Sequence, residues 1–102
     1  MGKWIILDEQ NVSRILKGVS LRLWNYMATH DRLTLKISGG GPDVDGNFLI
    51  LAGCEKISVM PVVVSLDPVL QRALDGTLIF RSKDDMLIEC AECALSDEYL
   101  LR

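Results

Sequence analysis

The feature that most constrains this chain is the loop Gly39 to Gly46, GGGPDVDG, with an alternating apolar segment before it and a continuous one after it. Glycine, proline and aspartate at this density cannot continue a regular element, so the chain must turn there. Before it, Leu33, Leu35 and Ile37 alternate with Thr34, Lys36 and Ser38, the period of a strand with one buried face. After it, Asn47 to Ala52 (NFLILA) forms a short apolar run of strand length, and Ile57 to Ser65 is rich in β-branched residues. Pro61 interrupts that last run and removes a ladder donor, so the segment must lie at a sheet edge or contain a bulge.

The flanking segments fit the same pattern. Lys3 to Leu7 reads as a short strand, and Thr77 to Arg81 as another. Residues 11–17 read as a short helical or irregular turn, and Asn11 could cap a helix that starts at Val12. Residues 19–27 then form a hairpin with 32–38. A single helix over 12–27 competes, because Val12, Leu16, Val19, Leu23 and Tyr26 are spaced by four and three, but Gly18 weakens it. Asp67-Pro68 followed by Gly76 predicts a short helix, with Val69, Leu70, Ala73 and Leu74 on one apolar face. Residues 86–95 are expected as a strand returning along 77–81 after the turn 82–85. A helix competes there too, since Asp85, Glu89, Glu92 and Ser96 would share one of its faces.

Together these segments predict an α+β, β-rich fold: a mostly antiparallel meander of about five or six strands with one or two short helices. A length of 102 residues suits a single domain with one two-layer core. No signal peptide, lipidation motif or membrane-length apolar run is visible, which places the chain among soluble, cytoplasmic proteins.

Candidate chemistry is sparse. Cys90-Ala91-Glu92-Cys93, with Cys54 and His30, contains the residue types of a zinc site. Yet only one paired motif exists, and cysteines three apart on a continuous strand point to opposite faces. Three cysteines do not make a disulfide framework. They read best as small buried hydrophobes, with no cofactor or metal expected. The glycine loop lacks the lysine and helix start of a phosphate loop. Asp43, Asp45 and Asn47 match the first three ligand positions of a calcium loop, but glycine then falls at the fourth position and Cys54 at the twelfth. His30 is the sole histidine and has no evident nucleophile to serve.

Charge is the remaining signal. The chain carries a net charge of −3. Six acids and no base lie between Asp84 and Glu98. That balance disfavours nucleic acid, whose phosphates need lysine and arginine. Asp84, Asp85, Glu89, Glu92, Asp97 and Glu98 are therefore the candidate docking residues for a basic protein partner. Trp4, Trp24 and Tyr26 are either interface anchors or core. The expected function is a non-enzymatic interaction or regulatory domain, immunity-like or adaptor-like. The alternatives are a metal- or redox-responsive protein using Cys54, Cys90 and Cys93, and a small hydrolase or carrier acting at the 39–46 loop. Pairing of two copies along the Pro61 edge is a further option, though proline blunts such edges.

Overall fold

The computed structural model describes residues 4–83 and 86–97. Ten strands, all paired antiparallel, form two sheets. β1 (Trp4–Ile6) leads through a knotted polar turn into α1 (Val12–Leu16). β2 (Ser20–Met27) and β3 (Arg32–Ser38) form the expected hairpin around a 3-10 turn, Ala28–His30. β4 (Phe48–Ala52) follows the glycine loop, and β5 (Lys56–Val59) and β6 (Val62–Val63) follow in turn. β7 (Pro68–Arg72), β8 (Leu78–Ser82), β9 (Met86–Cys90) and β10 (Glu92–Ser96) are the last of the described strands. The six-stranded sheet runs β1-β10-β4-β3-β2-β6, and the four-stranded sheet β5-β9-β8-β7.

The strand count exceeds the expected five or six because two of the apolar runs, 57–65 and 86–95, each divide between the two sheets, and because residues 68–72 add a strand. The clearest case is the ribbon made by residues 48–59 and 86–96. In the large sheet Ala52 faces Glu92, whereas in the small sheet Lys56 faces Glu89. Residues 53–55 therefore stand opposite only residues 90 and 91, a β-bulge that turns the corner between the sheets. The Ala91 N–H donates to the Ala52 carbonyl (2.9 Å) and the Glu55 N–H to the Glu89 carbonyl (2.8 Å), so pairing continues around the bend. Gly53 is needed there: its φ is +67°, and a β-carbon would lie 2.8 Å from that of Ala91. Gly40 plays a similar part in the loop, where a β-carbon would meet the Val19 side chain at 2.8 Å.

Two expectations need correcting. The segment after Asp67-Pro68 is a strand, not a helix. Pro68 and Leu70 are buried and Val69 and Gln71 exposed, which is strand alternation. Pro68 is tolerated because β7 is an edge and Pro68 is its first residue. Gly76 serves a hairpin turn: the Ala73 N–H bonds the Thr77 carbonyl, and the Asp75 carboxylate accepts from the Thr77 N–H. Pairing with β8 outweighs the local helical signal. Second, the Asn11 side chain does not cap α1. It reaches backward, donating to the Ile6 carbonyl and accepting from the Asp8 N–H, while the Asp8 carboxylate accepts from the N–H groups of Gln10 and Asn11.

The core lies between the sheets. Leu33, Leu35 and Ile37 of β3, Leu49 and Leu51 of β4, Phe80 of β8, and Met86 and Ile88 of β9 fill it. α1 adds Val12 and Leu16 from one side, packing on β7. None of the helices among the described residues is long and apolar enough to cross a membrane.

Candidate functional site

The corner explains the cysteines. Met86, Ile88 and Cys90 point inward from β9, and Cys93 and Leu95 inward from β10. Inward parity changes at Ala91 because the strand passes from one sheet to the other. Two cysteines three apart thus both enter the core, which a continuous strand would forbid. Cys54 joins them from the bulge, and its thiol donates to the Leu51 carbonyl at 3.3 Å.

All three thiols are free and buried. Burial pushes Cys54 up to about 11, only partly offset by its hydrogen bonding to backbone. Burial and the neighbouring Cys54 push Cys90 up to about 12, and burial raises Cys93 well above its ordinary value. Metal ligation and thiol exchange both require thiolate, so this pocket favours the form that does neither. Among the described residues no group of three or more His, Cys, Asp or Glu side chains is placed to hold a metal ion. The His30 side chain lies outside the described residues.

One loop acid, Asp45, is used locally. The Asp45 carboxylate accepts the Gly39 N–H at 2.8 Å, and the Asn47 amide donates to the Asp43 carbonyl at 2.9 Å. These bonds shape the 39–47 connection. A mixed cleft beside it is lined by Asn11, Arg14, Asp43 and apolar neighbours.

Three of the six acidic docking residues are described. Asp84, Asp85 and Glu98 lie outside the described residues. Glu89 points out of the small sheet, 3.7 Å from the Lys56 ammonium. Glu92 sits across the corner in the large sheet, and Asp97 follows β10. The bend that gathers the thiols thus places Glu89 and Glu92 in different sheets.

The aromatic candidates are surface residues: Trp4, Trp24 and Tyr26 are each about half exposed, at 48%, 46% and 46%. Trp24 packs tilted on Phe48 with ring centroids 5.8 Å apart, and the Lys36 ammonium lies over both rings. Tyr26 has another setting. With Leu23, Leu33, Cys54, Glu55, Ile57 and Val59 it lines a groove of about 370 Å³ between β2 and β5. Leu23 and Ile57 are also well exposed, and Met60 continues the apolar surface into the turn before β6. The groove exists because β6 pairs with β2 only at Leu21 and Arg22, with the Leu23 N–H then donating to the Pro61 carbonyl. Beyond that point no described strand pairs with that side of β2. The sequence signalled the exposed edge through Pro61 but not the groove, whose lining comes from segments some thirty residues apart. Comparison with protein-family models, with curated proteins and with solved structures gives no match.

Proposed function

We propose that this chain is a non-enzymatic protein-interaction domain, adaptor-like or regulatory, that engages its partner through the groove between β2 and β5. The observation that carries this reading is the exposure of Leu23, Tyr26 and Ile57 around one cleft. Apolar side chains flanking a concave surface are the usual material of an interface centre, and tyrosine is a common anchor. The buried, protonated thiols support a packing role over the metal- or redox-responsive alternative.

The test compares wild type with Tyr26→Glu and Ile57→Glu variants, immobilised as full chains and exposed to lysate of the source cells. A partner recovered stoichiometrically by wild type and lost with both variants, at unchanged folding, supports the reading. Recovery of the domain alone, or of a partner indifferent to both substitutions, overturns it.

A further inference from the structure

We infer that the groove receives one extended segment of the partner, added as a β-strand between β2 and β5, with a lysine or arginine over Asp31 and Glu55. This rests on the docking reading above and names the occupant. Two strand edges border the groove. β5 ends its sheet with β9 as its one neighbour. β2 keeps β3 beside it throughout, but β6 covers it only as far as the bond from Leu23 to Pro61. Asn25–Met27 and Lys56–Val59 are therefore each paired on one side only among the described residues, and the backbone groups of their other side have no described strand to pair with. A docked helix would leave those groups without protein partners, whereas an extended segment can pair with them.

The lining fits a strand as well. Leu23 and Tyr26 come from one wall and Ile57 and Val59 from the other, over a floor of Leu33 and Cys54. A strand laid there turns every second side chain into the cleft, so the segment should alternate apolar and polar residues. Charge sets the remaining preference. The Cys54 N–H donates to the Asp31 carbonyl at 2.9 Å, which brings Asp31 to the end of the groove where Glu55 stands. Both residues are exposed, and the Asp31 charge is felt at the Cys54 thiol on the floor. Of the nearby bases, Lys56 pairs with Glu89 at 3.7 Å, and Arg32 is half-buried with an interaction of its own. That end of the groove is therefore complementary to a cation.

The experiment uses the full-length, nitrogen-15-labelled protein and short capped peptides of alternating valine and threonine. One set ends in lysine, at either terminus, a second ends in glutamate, and a third is the lysine set with an N-methylated backbone. The expected result is perturbation and slowed exchange of the amides of 25–27 and 56–59 by a lysine peptide at millimolar concentration. The glutamate version should bind about fivefold more weakly, the size of an exposed ion pair turned repulsive, and the N-methylated version should not bind. The inference is overturned if no lysine peptide perturbs these amides, if the N-methylated peptide binds equally, or if the same amides gain protection with rising protein concentration alone, which would make a second copy the occupant. Loss of partner capture on Tyr26→Glu alongside N-methyl-insensitive binding would sink the strand mode and leave the docking reading standing. Capture indifferent to Tyr26 and Ile57 would sink both.

Discussion

The two flanks of this sandwich are finished differently. On one flank α1 packs on β7, burying Val12 and Leu16 together with Leu7, Leu66 and Leu70, each at most 4% exposed. Backbone bonds reinforce it: the Gly18 N–H donates to the Leu66 carbonyl, and the Leu66 N–H to the Val19 carbonyl. On the other flank, between β2 and β5, no element plays the part of α1 among the described residues, and Leu23, Tyr26 and Ile57 remain well exposed. Both flanks are lined by apolar residues. A five-residue helix is enough to convert one of them into core. What separates the closed flank from the open one is whether a described element of the chain covers it.

The sharpest way to break that contrast is to truncate one residue on each flank. Leu16→Ala should cost about 3 kcal/mol, because it empties a fully enclosed site. Ile57→Ser should cost no more than about 1 kcal/mol, since the side chain is already partly in water. Urea unfolding followed by tryptophan fluorescence measures both, and equal losses would mean that the open flank is as structural as the closed one.

Gly53→Ala tests the corner from which β5 departs toward the open flank. It should destabilise by about 2 kcal/mol, from left-handed backbone strain and the contact with Ala91. Adding Ala91→Gly should recover part of that loss by removing the contact but not the strain. Strict additivity in the double variant would show that the two residues are not coupled.

The thiols give a smaller, pH-dependent effect. Their folded-state values lie above the ordinary 9.0, near 11 for Cys54 and near 12 for Cys90. The folded state therefore holds protons that the unfolded state releases. This contribution is fully present below about pH 9 and is lost as pH rises toward 11 to 12. The urea midpoint should fall across that window, and Cys54→Ala should flatten the fall. A flat profile in wild type would place the thiols in water-like surroundings. The smallest effect belongs to Arg72→Ala. Its ion pair with Glu9 spans 3.6 Å across the closed flank, but both partners are about half exposed. Its loss should shift stability by less than about 0.5 kcal/mol, and a larger shift would mean that charge as well as packing closes that flank.

Much of the fold was legible where local pattern and tertiary need agree. The alternation of 32–38, the turn at 39–46, the short helix after Asn11 and the return of 86–90 along 78–82 were all readable from spacing and turn residues. The helix expected after Pro68 was the largest failure. Asp67, Pro68 and Gly76 are as good for a helix as for a strand and hairpin, and only the free edge of β8 selects between them. Asp75-Gly76 was the signal that could have found the hairpin. Of the candidate site, the exposure of Tyr26 and the edge at Pro61 were within reach of sequence reasoning, but their meeting was not.

The amino-acid sequence by itself determined that the chain is antiparallel and β-rich, because periodicity two and tight turns are local properties carried by consecutive residues. It also determined the three cysteines and the acidic balance. Where those side chains stand was decided by tertiary structure. One bulge at Gly53 opposite Ala91 reverses inward parity, carries Cys90 and Cys93 into the same core, places Glu89 and Glu92 in different sheets, and starts β5 on the path that leaves a groove beside β2. A one-residue shift of register is invisible in a pattern read along one strand, since it exists only between two.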